Sequence, residues 1–215
     1  MSETDWRRIR IYFEKAGDSR FLSHLDLMRT MERALRRSGL PVRFTEGMNP
    51  HVRMSFPVAL PLGMESRLET MEVQIAPPHT VREIVERLAV ELPAGLRPFD
   101  GDVCFTGEKW QVAEQHYEVR GEGLPDEAAV GALLARDRIP VLRREKEVDL
   151  KPLLSELRVA GDGLVVSIRW TETGTARPED VLSVLDHRAD SCRVVKTGMT
   201  FLTSEGDRIR KPHGP

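Results

Sequence analysis

The span Phe44-Thr45-Glu46-Gly47-Met48-Asn49-Pro50-His51-Val52-Arg53-Met54-Ser55-Phe56 gathers a carboxylate, a carboxamide, an imidazole, a guanidinium and hydroxyls within one short stretch. Gly47 and Asn49-Pro50 mark a turn. Glu46 can accept hydrogen bonds or a proton, and Asn49 can both donate and accept. The imidazole of His51 belongs to the side-chain type that changes charge near neutral pH, and Arg53 can grip a phosphate with two parallel N–H bonds. Such a set suits general acid/base chemistry or the binding of an anion. A plainer reading is a turn held by Gly47 and Asn49, with His51 capping backbone groups.

A second cluster is Ser23-His24-Leu25-Asp26-Leu27-Met28-Arg29. At a helix start, His24 would face whatever lies beyond the end, where free backbone N–H groups favour an anion. Capping alone accounts for Asp26. Further on come Arg29, Arg33, Arg36 and Arg37, with Arg29 and Arg33 sharing a face at i, i+4. Such a stripe can track phosphates, although it is also the usual look of a solvated helix face, here partly balanced by Glu32. A third element, Pro61-Leu62-Gly63-Met64-Glu65-Ser66-Arg67-Leu68-Glu69, adds carboxylates that can serve simply to neutralise arginines. His24, Glu46 and His51 match no zinc spacing such as HExxH, so no metal is expected. Phosphate-binding glycine loops, nucleophile elbows and RNP-type aromatic strands do not occur in the sequence.

The elements that must hold these residues read as one pattern twice. Arg8 to Glu14 alternates as a strand, and residues 23–38 carry Leu27, Met28, Met31, Ala34 and Leu35 at helical spacing. Ser23 is the expected N-cap, with Asp26 completing a capping box and Leu22 with Leu27 a staple. Ser38-Gly39-Leu40-Pro41 ends the helix. Strands are expected at 41–45, 52–60, 70–76 and 96–105, with a helix over 80–92. The second half gives strands at 116–120, 139–144, 157–160, 164–170 and 192–202, and helices at 125–135 and 178–187. The expected fold class is therefore α+β, with two tandem ferredoxin-like (βαββαβ) domains built on antiparallel sheets. The boundaries expected are 1–107 and 108–203, a junction within 106–115, and a flexible polar tail over 204–215.

Composition limits the function classes. Of 215 residues, 40% are hydrophobic, enough for a core, and no apolar run reaches the roughly 20 residues of a membrane span. Two distant cysteines, Cys104 and Cys192, suit a cytoplasmic chain and cannot hold an iron–sulfur cluster by themselves, so no cofactor is expected. The net charge of −2 is uneven. Residues 1–60 hold 11 Lys/Arg against 7 Asp/Glu, a balance of +4, leaving −6 for the remainder. Positive charge thus lies where the polar turn lies, which favours an anionic ligand there. Aromatics are 6% of the chain, too few for a sheet that stacks bases on exposed rings.

Four motifs together resemble a known bacterial family: Arg20-Phe21-Leu22-Ser23-His24-Leu25-Asp26-Leu27-Met28-Arg29; Arg33-Ala34-Leu35-Arg36-Arg37-Ser38-Gly39-Leu40-Pro41; Glu46-Gly47-Met48-Asn49-Pro50-His51; and Leu60-Pro61-Leu62-Gly63-Met64-Glu65-Ser66. They are similar to the radical-SAM-linked domain of unknown function 2344. Met48 and Val52 depart from its pattern, which more often has an aromatic and a second proline there. The resemblance implies partners rather than a reaction: a radical SAM protein of the cobalamin-binding type and, nearby, a ribonuclease of the E/G type. The expectation is an accessory protein that binds structured RNA through Arg29, Arg33, Arg36, Asn49 and Arg53. Two alternatives stay open: an RNA-processing enzyme using His24, His51 and Glu46 in catalysis, and a protein-only scaffold.

Overall fold

The structure is a computed structural model, and it describes residues 6–104, 110–143, 145–172, 174–188 and 191–212. It is α+β, with four α-helices among the described residues and antiparallel sheets. The chain divides into two compact units, residues up to 111 with 203–205, and residues 112–202 with 206–211. Residues 106–109 of the expected junction lie outside the described residues.

In the first unit β1 (Arg7–Lys15) is followed by α1 (His24–Arg37), β2 (Met54–Ser55), β3 (Glu65–Ile75), α2 (Val81–Glu91) and β4 (Leu96–Cys104). The strands stand in the order β4–β1–β3–β2, each pair antiparallel. Register pairs Ile9 with Val73 and Ile11 with Met71. Strand alternation puts Ile9, Ile11, Phe13, Met71, Val73 and Ile75 on one face, and they pack with Leu27, Met31 and Leu35 of α1 and Ile84 and Leu88 of α2. Each such buried side chain contributes about 1.5–3 kcal/mol, so this layer sets where α1 lies. The opposite face carries Arg8, Arg10, Tyr12, Glu72 and Gln74.

The entry to α1 is pinned from several sides. The buried Lys15 ammonium donates to Leu22 O at 3.0 Å. Glu65 Oε1 accepts from Gly17 N–H at 3.2 Å and faces Arg20 Nη1 at 3.5 Å. Gly63 N–H donates to Arg20 O at 2.9 Å. The Pro61–Glu69 element therefore fixes this loop rather than only balancing charge. Ser23 caps α1, accepting from Asp26 N–H at 3.1 Å, while its own hydroxyl donates to Asp26 Oδ2 at 2.6 Å. Gly39, at φ +67°, ends the helix where residues with a Cβ are disfavoured.

The second unit holds β5 (Gln111–Gly121), α3 (Glu127–Leu134), a hairpin of β6 (Pro140–Arg143) and β7 (Lys146–Asp149), β8 (Leu154–Ala160), β9 (Gly163–Thr171), β10 (Gly174–Thr175), α4 (Pro178–Val184), β11 (Cys192–Leu202) and β12 (Arg208–Pro212). β5 lies between β9 and β11, and β8 and β10 both pair with β9. On one sheet face His116 links three strands: Nδ1 lies 2.9 Å from Ser167 Oγ, and Nε2 lies 2.9 Å from Thr200 Oγ1. Ser167 in turn donates to Glu156 Oε2 at 3.1 Å. The chain of bonds satisfies a buried imidazole that would otherwise carry a large desolvation cost.

Several elements differ from the sequence expectation. The strand expected over 52–60 shortens to Met54–Ser55, because Pro57 and Pro61 have no N–H for a ladder. The strand expected at 41–45 reduces to two bridges, Val42 with Ile75 and Phe44 with Val52. Helix α4 stops at Val184, ahead of Asp186 at φ +54°. In place of a frayed tail, Arg208–Pro212 pairs with β11. The polar composition of that segment gave no hint of a partner strand, since an edge strand needs only its backbone.

One close approach holds the α1 entry to α2's far end. Ala16 N–H donates to Gly95 O at 2.8 Å, and Ser19 Oγ donates to Ala94 O at 2.9 Å. A Cβ on Gly95, at φ +88°, would stand 2.3 Å from Ala16 O. Gly95→Ala should therefore lower stability by at least about 2 kcal/mol in urea denaturation, because the clash is with a backbone carbonyl that cannot swing away as a side chain can and Gly95 itself holds a positive φ. Ser23→Ala should cost about 1 kcal/mol, the ordinary loss of an N-cap.

Candidate functional site

Helix α1 is amphipathic. Leu27, Met31, Ala34 and Leu35 face the core, which leaves Arg29, Glu32, Arg33 and Arg36 on the outward side. Across from that side lies a ribbon made by residues 42–45 and 51–54. Arg43 N–H donates to Gln74 O at 2.9 Å, Arg53 N–H to Arg43 O at 2.7 Å, and Thr45 N–H to His51 O at 2.8 Å. Thr45 Oγ1 closes the end of the ribbon by accepting His51 N–H at 3.0 Å. The Glu46–Pro50 turn is thus carried at the tip of a structure anchored on β3.

One carboxylate joins the ribbon to the helix. Glu32 Oε1 accepts from Arg36 Nη2 at 2.8 Å, from Arg36 Nε at 3.2 Å and from Val52 N–H at 3.4 Å. Its Oε2 lies 3.1 Å from His51 Nδ1. Arg36 completes the clamp, donating to Pro50 O at 2.5 Å and stacking on the Phe44 ring at 4.6 Å. Burial works to raise the Glu32 carboxyl, but the bonds from Arg36, His51 and the Val52 N–H outweigh it and hold it below the usual carboxylate range. An ionised carboxylate only accepts, so Nδ1 of His51 carries the proton and Nε2 is the nitrogen left for other chemistry.

Between helix and ribbon is a cavity of about 580 Å³ lined by Arg29, Glu32, Arg33, Arg36, Asn49, Pro50 and His51. Three guanidiniums face one carboxylate there, and that carboxylate is already engaged. Arg29 is only loosely tied, 3.8 Å from Asp26 with both side chains more than half exposed, an interaction worth little in water. Arg33 makes no ion pair among the described residues. The cavity can therefore attract and neutralise a phosphate or carboxylate, with the Asn49 amide adding a donor.

Sequence-expected residues divide by position. Arg29, Arg33, Arg36, Asn49 and His51 come together at this cavity. His24 is the first residue of α1 and packs edge-on against Phe56, with ring centroids 5.6 Å apart. It stands roughly 12 Å along the helix from Glu32 at 1.5 Å per residue, and is not part of the lining. Glu46 is exposed in the turn, also outside the lining. Arg53 lines a second cavity, beside β1 and β3. Arg37 turns towards α2, donating to Glu91 Oε2 at 2.8 Å and Glu91 O at 2.6 Å. Glu32 is the residue that sequence reasoning missed. Its i, i+4 spacing to Arg36 shows in the sequence, but its bonds to His51 and Val52 do not.

The Glu32 carboxyl sets a pH dependence. Its folded value lies below the unfolded one, so its contribution to stability is complete above about pH 4.5 and is lost as pH falls through the lower folded value. Glu32→Gln should therefore flatten the acid limb of the stability curve below about pH 4.5. It should also cost about 1–3 kcal/mol at neutral pH. Urea midpoints measured across that range check both, and an unchanged acid limb would show that the clamp is weaker than its geometry.

No curated protein matches the chain. The model of one family does, over residues 8–182, a span that takes in the whole of the α1–ribbon site. The chain belongs to that family, the uncharacterised proteins conserved in bacteria known as DUF2344.

Proposed function

We propose that this protein is an RNA-binding accessory protein, and that the α1–ribbon cavity is where the RNA phosphates sit. The observation that carries the reading is the convergence of Arg29, Arg33, Arg36, Asn49 and His51 on one cavity, from a helix and a turn distant in sequence. Phosphate contacts of this kind position an RNA, while specificity comes from base edges and shape. The partner in this reading is a radical SAM protein of the cobalamin-binding type, with a ribonuclease of the E/G type as a second. That part rests on the resemblance carried by the motifs at 20–29, 33–41, 46–51 and 60–66. We also read each unit as ferredoxin-like. Support comes from the strand order, in which the fourth strand neighbours the first and the third neighbours both first and second: β4–β1–β3–β2 in one unit, β11–β5–β9–β8 in the other. The β6–β7 hairpin would then be an insertion. The cysteines are free thiols, Cys104 buried and Cys192 half-buried, which suits the proposed cytoplasmic setting.

RNA recovered with the tagged protein and sequenced would identify the ligand. Binding of that RNA should weaken steeply with salt, because each neutralised phosphate releases counterions. Arg29→Ala and Arg33→Ala should each weaken it about tenfold, equivalent to about 1.4 kcal/mol. Salt-independent binding, or none at low salt, would favour a protein-only scaffold.

The His51–Glu32 pair favours a second reading, catalysis on RNA. A carboxylate that orients an imidazole through Nδ1 and leaves Nε2 open is the arrangement of a general acid/base. If this reading holds, purified protein turns over its RNA without a partner. His51→Gln should then abolish turnover and leave binding within about tenfold, since the lost interaction belongs to the transition state. Inert wild-type protein would favour the accessory role.

A further inference from the structure

A second cavity adjoins the ribbon. It measures about 300 Å³, at the lower end of the usual roughly 300–1,000 Å³ for small-molecule sites, and lies between the ribbon, β1 and β3. Its polar lining is Arg8, Thr45, Arg53, Ser55, Glu72 and Gln74, and Val52 and Met54 add apolar wall.

The hydrogen-bonding capacity of this lining is specific. Glu72 does not repel an anion, because Arg10 occupies its Oε1 through Nη2 at 2.5 Å and Nε at 3.1 Å, with Arg8 3.8 Å from Oε2. Gln74 Oε1 accepts from Arg43 Nη1 at 3.2 Å, which leaves its two amide hydrogens to donate. Thr45 Oγ1 already accepts from His51 N–H, so its own hydrogen remains to donate. Ser55 is an exposed hydroxyl that can donate or accept. The Arg43 guanidinium, tied to Gln74 and standing 5.9 Å over the Trp6 ring, is a flat cation held beside the groove. Arg53 makes no ion pair among the described residues.

An apolar wall, fixed donors and two guanidiniums describe the needs of a heteroaromatic ring with acceptor edges attached to a phosphate. Stacking on a guanidinium plane is one way that RNA bases are held, and it does not require the aromatic sheet that the composition argues against. The two cavities are also neighbours. Thr45 lines this one and His51 the other, and the two residues are partners directly bonded from strand to strand of the ribbon. Partners across such a ribbon stand about 4.5–5.5 Å apart, a distance one RNA strand spans easily.

We propose that the second cavity is a base-binding groove. It takes one unpaired nucleotide of the same RNA whose phosphates occupy the Arg29–Arg33–Arg36 cavity. Arg53 and Arg8 meet that nucleotide's phosphate, and Gln74, Thr45 and Ser55 meet the edge of its base. The groove rests on the RNA-binding reading above, and the experiment separates the two.

Fluorescence anisotropy with a labelled abasic trinucleotide, which offers phosphates and no base, and a labelled single-stranded RNA of about eight nucleotides provides the test. The longer RNA should bind wild-type protein at least about tenfold more tightly. Ser55→Trp, at an exposed rim position, should fill the groove and remove that gain while leaving the affinity for the abasic trinucleotide, which has no base to place there, unchanged. Its far-UV circular dichroism and melting should match wild type. Arg53→Gln should lower the slope of log K against log salt on the longer RNA by about 0.7, one phosphate's worth on a single strand. An abasic residue walked along the longer RNA should weaken wild-type binding at one position and have no such effect in Ser55→Trp. If Ser55→Trp and Arg53→Gln bind the longer RNA as wild type does, while Arg33→Ala does not, the groove is wrong and the RNA reading stands. If neither RNA binds wild-type protein at low salt, both are wrong.

Discussion

The carboxylate of Glu32 is the interaction on which the candidate site depends. It sits on α1 and receives one bond from the ribbon backbone, one from the His51 ring and two from Arg36. Without it, three guanidiniums would crowd one face of α1, and among the described residues only the Arg36 contacts with Pro50 O and the Phe44 ring would join helix to turn. With it, Arg36 and His51 are spent on structure at one end and remain exposed at the other, and Arg29 and Arg33 are left with little to neutralise them. The cavity is positive because its one carboxylate is consumed in building it.

That clamp works only if α1 cannot shift. The helix is held by its apolar face against the sheet, and its start is held by polar bonds within a compact loop. Lys15, almost fully buried, spends its charge on the Leu22 carbonyl, and Glu65 ties Gly17 and Arg20 to the head of β3. Buried charges are tolerated only when they are bonded in this way. Their expense is understandable at the base of a site-bearing helix, where a displacement of about an ångström would misplace the arginines.

The ribbon and its turn border two cavities of different chemistry. Beside α1, an imidazole and an amide stand near guanidiniums; beside β1 and β3, hydroxyls, a glutamine and arginines stand against apolar wall. His51 and Arg53, two residues apart with Val52 buried between them, share a ribbon face, yet they line different cavities because His51 meets Glu32 of α1 while Arg53 stands beside β3. In the proposed reading, one short segment serves the phosphate and the base of a single ligand strand.

Local physics made much of this legible in advance. Strand alternation gave β1 and the end of β3, helical spacing gave α1 and α2, and Ser23 and Thr80 placed their starts, because each of these depends on neighbours within a few residues. The cluster of polar residue types at 44–56 marked the region of the site for the same reason. Other features depend on partners far away in the chain. The proline-broken segment after Ser55 reads as apolar strand although its backbone cannot pair, and β12 reads as a loose tail although β11 supplies its bonds. Within the site, sequence spacing could nominate His24, Glu46, Arg53 and His51 alike. Only the path of the ribbon across α1 decided that His51 meets Glu32 while His24 lies against Phe56 and Arg53 lines the cavity beside β3. Contacts between side chains 19 residues apart, such as Glu32 with His51, follow from how a helix and a turn are stacked on a common sheet, and no periodicity records that stacking.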